Sequence, residues 1–129
     1  MDRVGMVRDT WAALAGGDIE PLEAVLAPDA RWRAVHDGPW NCDGARAIVE
    51  VMTRNLANGL SGAVDDAFTV GDRVVVAFRP DHHDNDAWPL DDGIRYVVVS
   101  TAGDLVTEIK GCLNREVALA YASAGQAGS

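Results

Sequence analysis

The side chains with acid–base, electrostatic or nucleophilic chemistry to offer are His36, Arg79, Asp81, Arg95, Glu108, Lys110 and Cys112. His36 closes a stretch, Ala30 to His36, whose alternation puts Trp32, Ala34 and His36 on one strand face. An imidazole titrates near ~6.5, so His36 is the natural general base, or else a strand-end residue hydrogen-bonded to its loop. Asp37, its nearest carboxylate, points to the opposite face. Glu108, Lys110 and Cys112 alternate along one later strand, and Arg95 shares a face with Val97 and Val99 on its neighbour. If those faces look inward, Arg95, Glu108 and Lys110 form a polar cluster able to hold a carboxylate, enolate or phenolate, with Glu108 as a second proton carrier. If they look outward, they make salt bridges at a dimer interface. Ile109, which alternates with them, leaves both parities open.

The aromatic and sulfur residues complete the candidates. Trp32 on the inward face and Trp40 in the following loop are placed to stack on a flat organic ligand, while Trp11 is expected in the core. Cys112 is either a nucleophile or an inert buried thiol, and the second reading is the commoner one. The segment Asp81–His82–His83–Asp84–Asn85–Asp86 has metal-ligating side chains, but consecutive ligands on a polar loop rarely converge. It reads as a solvated connection, and no metal site is assigned. The sequence has no phosphate loop, nucleophile elbow or dinucleotide fingerprint, and no cofactor is implied.

The elements that must position these groups follow from periodicity and turn chemistry. Val4, Val7, Trp11 and Leu14 stripe a first helix that Gly16–Gly17 ends. Asp18 is placed to cap a short second helix carrying Ile19, Leu22, Val25 and Leu26, stopped by Pro28–Asp29. After the strand to His36 and a loop over Asp37–Asp43, Asp43 is expected to cap a third helix bearing Ile48, Val49, Met52 and Leu56. Strands are expected over Ala63–Val70, Arg73–Pro80, Gly93–Thr101 and Leu105–Leu113, with Gly71–Asp72 and Gly103–Asp104 as hairpin turns. A short helix from Asn114 to Tyr121 closes the fold. Helices first and a meander last mean a segregated α+β fold, in which helices on one face of a bent sheet enclose a pocket.

Composition sets the outer bounds. The 129 residues are 48% hydrophobic and 24% charged, enough apolar mass for one globular domain. Eleven basic against 20 acidic residues give a formal charge of −9, which argues against nucleic acid or an anionic membrane as partner. No apolar run approaches a membrane span or a signal peptide, so a cytoplasmic setting is expected, with Cys42 and Cys112 as thiols.

Ala15–Gly16–Gly17–Asp18–Ile19–Glu20–Pro21–Leu22 and Leu26–Ala27–Pro28–Asp29–Ala30–Arg31–Trp32 resemble the opening of the SnoaL-like branch of the nuclear transport factor 2-like superfamily. Trp40–Asn41–Cys42–Asp43–Gly44 and Gly103–Asp104–Leu105–Val106–Thr107–Glu108–Ile109 resemble it too. The resemblance covers Val4 to Tyr121 as a single domain, leaving 122–129 as a frayed tail. It implies a cone-shaped barrel, the cystatin-like fold: a strongly bent, mainly antiparallel sheet wrapped around N-terminal helices. A homodimer through the outer sheet face is implied as well. Where ketosteroid isomerase-like members carry a Tyr and an Asp, this chain has Thr10 and Ala34, and Arg95 falls near the second acid. Arg79–Pro80–Asp81 fits part of the limonene epoxide hydrolase-like pattern, but Lys110 stands at its last acid. Polyketide cyclase members move a proton with an Asp or His in the same cavity, for which His36 is the nearest residue.

The expected function is binding of a small, largely apolar organic ligand in the cone. Cofactor-free cyclase- or isomerase-type chemistry would use His36, Glu108 and Lys110, with Trp32, Trp40, Arg79, Asp81, Arg95 and Cys112 around the ligand. A non-catalytic binding or dimerisation module is the alternative, and epoxide hydrolysis the third.

Overall fold

The computed structural model describes residues 3–33, 41–57, 62–80, 94–112 and 114–124. In chain order the elements are α1 (Arg3–Ala15), α2 (Glu20–Val25), β1 (Leu26–Arg33), β2 (Cys42–Asp43), α3 (Ala45–Ala57), β3 (Gly62–Val70), β4 (Arg73–Pro80), β5 (Arg95–Ala102), β6 (Leu105–Cys112) and α4 (Arg115–Ala124). The strands form one sheet in the order β2-β1-β6-β5-β4-β3. Among the described strands only the β1–β6 pairing is parallel: β2, α3 and the rest of the meander lie between the two in the chain, a crossover long enough to bring them side by side in the same direction.

Local chemistry explains most boundaries. Val70 pairs with Arg73 and Ala102 with Leu105, leaving Gly71–Asp72 and Gly103–Asp104 as two-residue turns. Gly71 and Gly103 have φ of 63° and 61° at the first central position, a conformation a side chain would strain. The expected Asp18 cap of α2 is not seen: Ile19 holds the N-cap position without a side-chain cap, and Asp18, one residue earlier, accepts from the Glu20 amide at 3.1 Å. The Asn114 side chain caps α4 by accepting from the Val117 amide at 2.9 Å.

Four boundaries differ from expectation. β1 begins at Leu26, four residues before Ala30, because Pro28 forces Ala27 toward extended backbone. The missing Pro28 donor falls where the β1–β6 register shifts, between Leu26 and Arg31, so no regular ladder bond is lost. Cys42 and Asp43 add a short strand at the edge. Asp43 does not cap α3: its carboxylate is taken by the Arg33 guanidinium at 2.7 Å, and Gly44 supplies the first carbonyl, which accepts from the Ile48 amide. Finally, α4 runs on to Ala124 because fully buried Ala122 packs against the sheet.

The sheet separates two apolar clusters. On its inner face Val74, Val76, Val97, Val99, Val106 and Ile109 pack against Val7, Trp11 and Leu14 of α1, Leu22 of α2, and Ile48 and Met52 of α3. On its outer face Val75, Ala77, Tyr96, Val98 and Cys112 pack against Ala118 and Ala122 of α4. The strongly bent α+β sheet around N-terminal helices is therefore present, with a C-terminal helix behind it. No helix among the described residues is long and apolar enough to cross a membrane.

Candidate functional site

Strand register decides which chemistry meets inside the cone. On β4 and β5 the directly opposed pairs Val74–Val99, Val76–Val97 and Phe78–Arg95 share the inner face. Val75–Val98 and Ala77–Tyr96 share the outer one. On β6, Ile109 sits opposite Val99 on the inner face, and β1 brings Trp32 beside Ile109. Trp32 is half-buried and turns inward, as the alternation from Ala30 predicts.

At the end of this inner wall lies a small cavity of about 40 Å³. Trp11 and Leu14 reach it from α1, Met52 from α3, Trp32 from β1, Phe78 from β4, and Arg95 with Val97 from β5. Trp11 is thus core, as expected, and also a wall of the pocket. Arg95 is the one charged group among these lining residues, in a residue only 9% exposed. Burial lowers its pKa from the usual arginine value. Its Nε makes no hydrogen bond among the described residues, although the residue is engaged elsewhere. Thr10, also buried, turns its hydroxyl back to the Met6 carbonyl at 2.8 Å.

The expected cluster of Arg95, Glu108 and Lys110 does not form, because the sheet separates it. Glu108, Lys110 and Cys112 oppose Ser100, Val98 and Tyr96, which puts them on the α4 side. Glu108 there accepts from Arg31 at 3.2 Å and receives a short hydrogen bond from the Tyr121 hydroxyl. That phenol is pushed up to about 12, first by burial, then by the Glu108 hydrogen bond and charge. Cys112 is 1% exposed, and burial pushes its thiol up to about 11 against the opposing pull of Lys110. Of the two readings, this environment fits the inert thiol. Cys42 is also buried, with its pKa raised chiefly by desolvation, and neither cysteine is in a disulfide.

Arg79 is the second correction. It follows inward Phe78, so its side chain points to the other face, 55% exposed and 3.4 Å from Asp65. β4 continues through Pro80, which pairs with Gly62. His36, Trp40, Asp81 and the segment 81–86 lie outside the described residues. Among the described residues no three His, Cys, Asp or Glu gather to hold a metal ion.

The sequence reading had missed Phe78, Met52 and Leu14 as pocket walls. The signal was available for Phe78, which shares alternation with Val74 and Val76.

Comparisons with known proteins agree with this architecture. The sequence model of the SnoaL-like domain matches residues 7–109. No curated protein matches the chain. Among solved structures, a proposed polyketide cyclase from Sinorhizobium meliloti is similar at 14% identity and TM-score 0.65, covering 83% of this chain and 93% of that one. A protein of unknown function with cystatin-like fold from Xanthomonas campestris is similar at 15% identity and TM-score 0.67, covering 92% and 98%. A nuclear transport factor 2-like protein of unknown function from Cytophaga hutchinsonii is similar at 12% identity and TM-score 0.65, covering 86% and 98%. At these identities the likeness is one of fold.

Proposed function

The chain belongs to the SnoaL-like domain family, and from that premise we propose that it binds a small, largely apolar organic molecule in the inner pocket between Trp11 and Trp32. The observation that carries this is the pocket itself: aromatic walls from three elements around one buried guanidinium. Aromatic faces supply apolar contact to a flat ligand, and a single polar group fixes its orientation. The chemistry that fits is cofactor-free proton transfer of the cyclase or isomerase type. His36, four residues beyond Trp32 in the sequence, carries the proton, and Arg95 steadies an oxyanion. The fold shared with the proposed polyketide cyclase from Sinorhizobium meliloti supports the same direction. Glu108 and Lys110, held on the far side of the sheet, have no part in it.

A second reading, a non-catalytic binding or dimerisation module, is favoured by one observation: the cavity is small and much of the inner wall is valine. A homodimer through the outer sheet face belongs to either reading. Because α4 lies over that face, its solvent side, including exposed Val117, would join the contact. Sedimentation at the mass of two chains is the expected result, and a monomer at micromolar concentration removes the dimer.

A thermal-shift screen of planar aromatics, polyketide fragments, steroids and epoxides tests the pocket. A ligand at 100 times its Kd adds about 2.7 kcal/mol of stability, a rise of several degrees. Related hits lost in Trp32→Ala are expected; none across the panel favours the module. Once a substrate is known, His36→Ala should abolish turnover at unchanged Tm. An active His36→Ala ends that assignment.

A further inference from the structure

We propose that Arg8 and Asp66 together cap the long edge of the sheet at Ala67, and that this cap keeps a second copy of the chain from adding its own β3 there.

Among the described residues the sheet ends on two strands, and an end strand offers unpaired N–H and C=O groups to any strand that comes alongside. At one end β2 is two residues long, too short for a regular ladder. At the other, β3 runs for nine residues, from Gly62 to Val70. The turn after β3 decides which of its groups face outward. Val70 pairs with Arg73 across the two-residue turn, and the closing pair of such a hairpin is a hydrogen-bonded one. Pairing alternates from there, so Phe68 turns its N–H and C=O to β4, while Thr69 and Ala67 turn theirs away from it.

Side chains meet both outward groups of Ala67. Its amide donates to Asp66 Oδ1 at 2.9 Å, and its carbonyl accepts from Arg8 Nη2 at 3.1 Å. Arg8 belongs to α1, which packs along β3 and so brings the guanidinium to the edge. A strand added here would have to take both groups from the side chains that hold them. An ionised carboxylate only accepts, so an incoming carbonyl would also meet an acceptor where it needs a donor.

Two more features of β3 act in the same direction. The register shifts between Val64 and Asp66, so Asp65 is the extra residue of a bulge that breaks the regular spacing of edge groups. Asp66 is exposed, and two copies meeting edge to edge would bring both Asp66 carboxylates to one seam, on a chain whose formal charge is −9. The strand that best matches such an edge is β3 of another copy. An antiparallel pairing about Ala67 is its own symmetry mate and needs no second surface.

The test compares the wild type, Arg8→Met/Asp66→Ala, and the same pair with Thr69→Pro added, each as the full chain at about 1 to 100 μM. Sedimentation velocity gives the mass, and hydrogen exchange gives the protection of the Thr69 amide. Mass is read against the wild type's own, so a pairing through the outer sheet face, common to all variants, cancels. The double variant is expected to reach twice the wild-type mass at the upper concentrations, with Thr69 exchange slowed at least about tenfold. Thr69→Pro removes an outward donor and leaves the β4 ladder alone, so it should return the mass to the wild-type value. A melting transition checks that each variant folds. Should the double variant not fold, Asp66→Ala alone, a change at an exposed position, is read by the same two measurements. Wild-type mass and unchanged Thr69 exchange in a folded, uncapped chain overturn the proposal. A doubled mass that survives Thr69→Pro overturns it as well, because the copies then meet elsewhere.

Discussion

Arg95 and Cys112 are buried and Tyr121 half-buried, each for a different reason, and each can be separated from the others by one substitution. Arg95 sits among aromatic and aliphatic walls and has polar contacts of its own, so Arg95→Met leaves those partners unsatisfied and is expected to lower Tm, which calorimetry checks; an unchanged Tm would show that those contacts add nothing to stability. Cys112, with its thiol near 11, is almost wholly un-ionised at neutral pH. It should react with a thiol-specific disulfide reagent only as fast as α4 or the whole domain opens, so the native rate should be orders of magnitude below that of the urea-unfolded chain. Tyr121 gives the pH dependence. Its pKa rises from 10.0 to about 12 on folding, so the folded state holds the phenolic proton more tightly than the unfolded one. The contribution is complete below pH 10 and lost as pH climbs toward 12. Tyr121→Phe should flatten that alkaline loss and cost about 1 kcal/mol at neutral pH through the missing Glu108 hydrogen bond.

Among the elements, those defined by local chemistry were legible and those defined by contact were not. The stripe of Val7, Trp11 and Leu14 named α1 and its buried face, and glycine at the first turn position named both hairpins. β4 was bounded at Arg73 and Pro80, where it lies. The start of β1 was hidden because Pro28 reads as a stop signal, while in the fold it occupies a register shift beside β6. The site was hidden by a more general cause. Val74 to Phe78 and Ile94 to Val99 are buried without interruption, because α1–α3 cover one side of the sheet and α4 the other. A strand buried on both faces loses the alternation that would show which residues point where. β6 keeps it only around Ile109, which is fully buried while Glu108 and Lys110 on either side are half-buried; Val106, three residues earlier, joins the same inner cluster because the register shifts between them. With Val106 out of phase, the sequence left both parities of the strand open. α4 deserves a direct test, since small residues make its contact with the sheet. Ala118→Glu would place a carboxylate against Val75 and Val98 and is expected to cost at least about 2 kcal/mol, seen as a lower urea midpoint.

At the level of the whole molecule, the formal charge of −9 gives the protein a negative field that salt screens, with a Debye length of ~10 Å at 0.1 M. Any anionic molecule that enters the inner pocket should accordingly associate faster at 200 mM than at 20 mM salt, by about twofold or more, and stopped-flow tryptophan fluorescence measures the rate. A fall in association rate with salt would show that surface cations guide it.

The alternation of β5 has one more result. Arg95, Val97 and Val99 answer to the inner face of the sheet, while Tyr96 and Val98 answer to α4, although the two sets are interleaved along one strand. Neighbours in the chain are thus nearly independent in what they control, and residues two apart are coupled. Such a strand can be retuned for a new ligand by changing every second residue while the docking of α4 is left intact. In a saturation library, tolerance should oscillate with a period of two, in opposite phase for binding and for thermal survival.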